Sequence, residues 1–273
     1  MHHLHNPGKR YEAMIKVGVF GAGGRMGTEV CRTVVDDPDM ELVAAVDPFK
    51  AGIDLRQATG IDGVSLQLAS GPEALAHAGA GVAVDFTHHD AAMENLRWCA
   101  ANGVHAVVGT TGFSASDIDE LRGAFVMSNC VIAPNFAIGA VLMMRFAEIA
   151  APYFETAEII EFHHDAKIDA PSGTAMATVE RMARAKGTWA PDPTQKVLLD
   201  GARGGNGPAG IRVHAVRMRG MVAHQEVILG TTGQTLIIRH DTTDRTSFMP
   251  GVALAVKRIA DHAGLTVGLD TLL

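Results

Sequence analysis

The feature that most limits what this chain can fold into is a short β-rich run that breaks into glycines and resumes with helical periodicity, IKVGVFGAGGRMGTEVCRTVVDD from Ile15. Apolar Val30, Cys31 and Val34 recur at the spacing of one helix face. Gly21 and Gly23 open a GxGxxG pattern; Met26 occupies the third glycine position and Gly27 follows. Glycines permit positive φ and let backbone N–H groups approach a pyrophosphate at a helix N-terminus. The next apolar run, MELVAAVD, ends on Asp47, at about the 20-residue distance a dinucleotide-binding turn requires of its acidic partner. A tight turn without a ligand is the competing reading, and this context weighs against it. Asp47 would accept hydrogen bonds from both adenosine ribose hydroxyls and repel a 2′-phosphate, whereas Arg25 and Lys50 would neutralise one. Dual use of NADH and NADPH is expected, leaning to NADH, with Lys50 as an ordinary solvated surface charge left open.

The alternation continues. Further strands are GVAVDFT ending at Thr87, VHAVVGTT ending near Thr111 and SNCVIAPN ending at Asn135, with helices near 90–101, 114–122 and 139–150. Unbroken apolar strands separated by helices predict a parallel sheet covered on both faces, with ligands beyond the carboxyl ends of its strands. The fold class is therefore α/β, a Rossmann-type N-terminal sheet followed by a second α+β mixed-sheet domain. Residues 15–137 and 246–273 would form the first domain and 138–245 the second, with 1–14 as a loose tail.

The second half has a different pattern. ETAEIIEFHH reads as a strand ending in paired histidines, and Ser172 as the N-cap of a helix reaching about Lys186. A Pro- and Gly-rich loop follows, then three β-like runs, IRVHAVRMRG, AHQEVILG and QTLIIRHDT, with TTG as a hairpin turn between the last two. Ser247–Ala263 looks helical and would return the chain to the first domain. These strands are apolar on more sides than a small domain buries, which calls for helix cover or a partner subunit's sheet.

Composition excludes several classes. The 273 residues, 47% of them hydrophobic, suffice for one large or two ordinary domains. A formal charge of −7 leaves no basic excess to displace counterions, against a nucleic-acid binder. Cys31, Cys99 and Cys130 form no CxxC or zinc spacing and read as buried thiols in a reducing, cytoplasmic setting. No apolar run approaches membrane-helix length, and residues 1–13, with His2, His3 and His5, lack the apolar stretch of a secretory signal.

The remaining chemistry lies in one segment. His163, His164 and Lys167 precede Ser172-Gly173-Thr174 at a helix start. Free N–H groups at Gly173 and Thr174 suit a carboxylate, Lys167 and His164 supply matching charge, and a histidine near its titration point delivers a proton. As bland readings, SGT is only a cap and Lys167 a solvated charge; paired histidines by Asp165 lack any HExxH or Cys/His spacing for zinc. Together the features describe a site for a small dianion that receives a hydride and a proton.

EFHHDAKIDAPSGTA resembles the signature segment of the dihydrodipicolinate reductases, E-x-H-H-x-x-K-x-D-x-P-S-G-T. The GAGGRMG turn, DFT at Asp85–Thr87, VGTTGF at Val108–Phe113, APNF at Ala133–Phe136, RMRGMVAHQEV and RTSF at Arg245–Phe248 are similar too, in order, from Ile15 to the C-terminus. The resemblance implies hydride transfer from NADH or NADPH to a dihydrodipicolinate-level ring, with loss of water when the substrate is the 4-hydroxy-tetrahydro compound. It implies His163 as proton donor and acceptor, Lys167 as proton donor and carboxylate holder, His164 in substrate binding, and Gly173 and Thr174 clamping the second carboxylate. The cofactor would lie on Gly21, Ala22, Gly23, Gly24, Arg25, Met26, Asp47, Gly109, Thr110, Thr111, Ala133, Pro134, Asn135 and Phe136, with no metal. A homotetramer built through the second domain's sheet is implied as well. One departure is Pro48 after Asp47, where family members often carry a basic residue. The alternatives are another Rossmann amino-acid or sugar dehydrogenase, whose lysine or tyrosine motif is missing, and a nicotinamide-sensing regulator, whose basic DNA-binding module is missing.

Overall fold

The computed structural model describes residues Met14–Leu273; the expectations for residues 1–13 lie outside them. The chain forms two compact units, one of residues up to Pro134 together with Gly251–Leu272, the other of Asn135–Pro250.

In the first unit, β1 (Ile15–Phe20), α1 (Arg25–Asp36), β2 (Met40–Val46), α2 (Leu55–Thr59), α3 (Glu73–Ala78), β3 (Val82–Asp85), α4 (His89–Ala101), β4 (His105–Val108), α5 (Ala115–Ala124) and β5 (Cys130–Ile132) follow in order. Every residue of β3 and β5 is buried, as in a parallel sheet covered on both faces. Phe20, Leu75, Leu96, Leu121 and Phe125 fill the core on one side. Gly18 in β1 admits this packing, since a Cβ there would stand 2.4 Å from Leu75 Cγ.

The second unit contributes α6 (Ile138–Ala150), β6 (Thr156–His163), α7 (Gly173–Ala185), β7 (Gly205–Asn206), β8 (Arg212–Arg217), β9 (Ala223–Thr231) and β10 (Gln234–Thr242). The Pro- and Gly-rich segment is a long connection interrupted by β7 and a 3-10 turn at Pro208–Gly210. The five strands lie in the order β10-β9-β6-β8-β7, with β6 and β8 parallel and the other neighbours antiparallel. Ile159, Glu161, Val213, Gln225, Val227 and Leu229 are all buried, and α6 packs on α7 and β10 while α7 packs on β6. Ile160, Phe162, Ile228 and Ile237 occupy the alternate phase of their strands, which is only partly covered. Helix cover thus accounts for one face, and β10 remains an open edge with Leu236 and Ile237 exposed.

The chain then forms a 3-10 turn at Arg245–Phe248, α8 (Met249–Arg258), a further 3-10 turn at Ile259–Asp261, and β11 (Leu265–Val267). The expected single helix over 247–263 is therefore three pieces. β11 extends the first unit's sheet, which runs β11-β5-β4-β3-β1-β2 with all pairs parallel. The direction of strand order reverses beside β1, and the crevice outside its carboxyl end is the usual ligand position in such sheets.

Candidate active site

At that position β1 runs into the glycine turn. Gly21 adopts φ +70°, and Gly24 N–H donates to Gly21 O at 2.9 Å. No side chain caps α1, so the N–H groups opening the helix at Arg25 and Met26 keep their attraction for an anion. The close-packing role of a third glycine falls to Gly27: a Cβ there would stand 2.0 Å from Gly21 O. Met26 therefore departs from the pattern in letter only. Ala22 is buried and its N–H donates to Val46 O, fastening the turn to β2.

Asp47 and Lys50 close on the turn from the end of β2. Asp47 is 8% exposed; its Oδ2 accepts from Gly23 N–H at 3.1 Å and its Oδ1 from Phe49 N–H at 3.1 Å. A carboxylate oxygen accepts two hydrogen bonds, so one position remains on each. The Lys50 ammonium donates to Gly23 O at 2.6 Å. It is a half-buried part of the turn rather than a freely solvated charge, and Arg25 is exposed beside it in sequence.

The ends of β3 and β4 are held by Asp85, which is 1% exposed. It accepts from Thr87 N–H at 2.9 Å, Thr87 Oγ1 at 2.7 Å, Thr110 Oγ1 at 2.9 Å and Asn95 Nδ2 at 2.8 Å. The Phe86–Thr87 segment touches the glycine turn, with Thr87 Cγ2 3.1 Å from where a Gly21 Cβ would be. Gly109 is required by the Phe86 ring, which a Cβ would meet at 2.0 Å, and Thr111 is exposed. Ala133 follows β5 and is buried, with its N–H on Val108 O. Pro134 is exposed at the end of the first unit.

In the second unit, β6 ends at His163, so the strand stops where the paired histidines need it to stop. His163 Nδ1 lies 2.5 Å from Oε2 of fully buried Glu161. Arg217 of β8 clamps the same carboxylate, Nη1 to Oε2 and Nη2 to Oε1, both at 2.8 Å. Burial pulls the His163 pKa below the ordinary histidine value, outweighing the support of Glu161. Burial opposes ionisation of Glu161, but the bonds from Arg217 and His163 hold its pKa below the usual carboxylate range. His164 is exposed.

The segment after β6 turns into α7. Lys167 N–H donates to His164 O, and its ammonium pairs with Asp169 at 2.7 Å. Ser172 Oγ caps α7 by accepting Ala175 N–H at 3.2 Å, which leaves Gly173 and Thr174 with uncommitted roles at the helix start. Gly173 is exposed, and nothing stands within 4 Å of a Cβ placed there. Thr174 Oγ1 accepts from Asn135 Nδ2 at 3.2 Å. Asn135, expected among the cofactor contacts, thus bonds a residue expected at the substrate, and it and buried Phe136 belong to the second unit.

A small cavity is lined by His163, Ser172, Thr174, Gln225 and His240. Thr178 Oγ1 donates to Thr174 O and accepts from Gln225 Nε2 at 2.7 Å, leaving buried Gln225 Oε1 without a partner. Sequence reading missed Glu161, Arg217, Gln225 and His240. The one available signal was the strand alternation, which places Glu161 in phase with buried Ile159 and with His163.

A glycine-rich βα turn where a parallel sheet reverses its strand order, and a mixed-sheet unit carrying a carboxylate-held histidine and an open helix start, define a pyridine-nucleotide-dependent oxidoreductase. Models described as dihydrodipicolinate reductase, N-terminus, and dihydrodipicolinate reductase, C-terminus, match residues 15–136 and 139–273. The chain belongs to the dihydrodipicolinate reductase family. It is 49% identical over 267 residues to the 4-hydroxy-tetrahydrodipicolinate reductase of Corynebacterium urealyticum, covering 95% of this chain and 99% of that protein. With the enzyme of the same name from Nocardia farcinica it shares 50% over 266 residues, 95% of this chain and 98% of that protein. The dipicolinate-bound dihydrodipicolinate reductase from Paenisporosarcina sp. TG-14 superposes with a TM-score of 0.84 at 38% identity, covering 95% of this chain and all of that one. An amine dehydrogenase from Mycobacterium smegmatis, 15% identical with a TM-score of 0.67, shares the fold.

Proposed function

We propose that this protein reduces 4-hydroxy-tetrahydrodipicolinate to tetrahydrodipicolinate, with loss of water, in lysine and diaminopimelate biosynthesis. The observation that carries the reading is the segment from Glu161 to Thr174, where a carboxylate-held histidine, a lysine and a helix start whose Ser172 cap takes only the Ala175 N–H follow one another in the chain. Lys167, His164 and the N–H groups of Gly173 and Thr174 would bind the two carboxylates. A bound nicotinamide would supply the hydride, and His163 as proton donor and acceptor, with Lys167 as a second proton donor, would supply the one balancing proton. With Nδ1 turned to Glu161, the Nε2 of His163 is the position that gives or takes the proton. A bound dianion would raise the pKa of His163 toward the working range.

The cofactor would lie on the turn Gly21–Met26, on Asp47, on Gly109–Thr111 and on Ala133–Phe136. The uncapped start of α1 suits a pyrophosphate, and the free acceptor positions of Asp47 suit a ribose diol. These favour NADH; the Lys50 ammonium at the turn and exposed Arg25 support NADPH use as well. The partly covered phase of the second unit's sheet and the open edge of β10 support a homotetramer formed through that unit. Cytoplasmic placement rests on the three buried thiols. No helix among the described residues is long and apolar enough to cross a membrane.

The test is oxidation of NADH and of NADPH, followed by loss of reduced-nicotinamide absorbance, with enzymatically generated substrate. Substrate-dependent oxidation is the expected result. Its absence in a protein that still binds NADH would refute the substrate assignment.

A further inference from the structure

Four donors converge on Glu161, a side chain with no solvent exposure. Oε1 accepts from Ser172 N–H at 3.1 Å and Arg217 Nη2 at 2.8 Å; Oε2 takes Arg217 Nη1 at 2.8 Å and His163 Nδ1 at 2.5 Å. Arg217 Nη2 also donates to Asp169 O at 2.6 Å, in the loop that carries Lys167. A bidentate guanidinium keeps the carboxylate ionised, and an ionised carboxylate only accepts. The proton between Glu161 and His163 therefore belongs to Nδ1.

We propose that Glu161 is the positioning residue of the site: it holds His163 as the Nδ1–H tautomer with Nε2 free for the substrate, and through Ser172 and Arg217 it locks that ring to the helix start expected to hold a carboxylate. The proposal rests on the reading of His163 as the proton-handling group. Glu161 touches no substrate itself; it acts through His163 and through the Ser172 amide. A carboxylate that only neutralised Arg217 would have no need of the ring or of the amide. Ser172 makes the link to α7 specific, because its backbone N–H is held by Glu161 while its hydroxyl caps the helix. Ring and anion site thus share one anchor, and their separation is set by a single side chain. The other charged or titratable groups facing His163 are Lys167 and Arg217, with His224 and His240 lining the same cavity.

The test compares Glu161→Gln, His163→Asn and the double variant in the full-length protein. Nitrogen NMR of the His163 ring is read alongside kcat, the pH profile and NADH affinity. With its oxygen kept where Ser172 N–H and Arg217 Nη2 both donate, the glutamine presents its NH2 to Nδ1 and moves the ring proton to Nε2. Glu161→Gln is expected to lower kcat on the order of 10²-fold, leave the NADH dissociation constant unchanged, shift His163 to the other tautomer and move its titration to lower pH. The double variant should lose no further kcat beyond His163→Asn alone, while its substrate KM rises further through the lost Ser172 anchor. Multiplicative losses of kcat in the double variant, or a ring tautomer and titration unmoved by Glu161→Gln, overturn the proposal. Near-full turnover in His163→Asn would instead refute the underlying role of His163, while the NMR titration still reports on its link to Glu161. If Glu161→Gln does not fold, judged by lost NADH binding, Glu161→Asp takes its place. The shorter carboxylate should move the ring titration the same way and retain part of the activity, and an unmoved titration again overturns the proposal.

Discussion

The Lys167 ammonium sits 2.7 Å from the Asp169 carboxylate, two residues along the same loop. The lysine expected to meet a substrate carboxylate therefore starts out paired, and binding exchanges one carboxylate for another. Asp169 is largely exposed, so this pair adds little to stability. Lys167→Ala is expected to cut kcat/KM by about 10²- to 10⁴-fold, the range of a general acid that also orients its substrate, with NADH affinity intact. Asp169→Asn should lower the substrate KM a few-fold, because the lysine no longer has to be released. Steady-state kinetics on both variants check the pair, and unchanged turnover in Lys167→Ala would remove the residue from the site.

Gly173 offers a sharper test of the anion clamp. A Cβ there meets nothing within 4 Å, so the protein itself has no need of glycine at the position. Gly173→Ala should unfold at the wild-type temperature and raise the substrate KM about tenfold, because the added Cβ fills the open space in which a carboxylate would close on the Gly173 N–H, at a cost of roughly one hydrogen bond to a charged group. A normal KM would place the carboxylate elsewhere.

Cofactor choice is testable at the end of β2. Asp47→Ala should weaken NADH more than NADPH, since the lost carboxylate suits a ribose diol and opposes a phosphate. Lys50→Met should do the reverse. Isothermal titration with each cofactor measures both, and equal losses for the two nucleotides in either variant would take that residue out of the ribose site.

Acid should loosen the fold before its carboxylates titrate. Burial pushes His105, His163 and His240 below the usual histidine pKa. Unfolded, each binds a proton near pH 6.5, and folded only at lower pH. Their contribution is present above about pH 6.5 and is lost as pH falls from there through the folded values. His89 opposes this, since its bonds to Asp90 and Asp117 raise its pKa, but it is only partly buried and solvent screens the pair. His105 adds a bond-level reason: its Nδ1 accepts Asn129 N–H at 2.9 Å, and protonation removes that acceptor. The thermal midpoint should fall between pH 7 and about pH 5, and His105→Gln should flatten that slope. A slope unaffected by the substitution would assign the acid sensitivity to other groups.

Most of the first unit was legible because its strands are mostly apolar runs, set apart by glycine turns and by helices of which α1 is strongly periodic. What was missed was short or non-local. α2 and α3 span five and six residues, too few for periodicity to register. β11 is a three-residue strand whose partner, β5, lies far back in the chain, with Leu265 opposite Cys130. The site was legible where chemistry clusters in sequence, from His163 to Thr174. It was not where chemistry arrives through pairing: Arg217 reaches Glu161 only because β8 lies parallel beside β6, with Arg217 opposite His163. Gln225 and His240 come to the same cavity by antiparallel register, Gln225 opposite both Glu161 and His240.

The four bonds gathered by Asp85 have a consequence for how the first unit breathes. Thr87 and Thr110 share one oxygen of that carboxylate, and Asn95 on α4 holds the other. The loops after β3 and β4 are therefore expected to open as one exchange unit, with the amides around Thr87 and Thr110 trading hydrogen for deuterium at a common rate set by the rupture of a single buried carboxyl group's bonds.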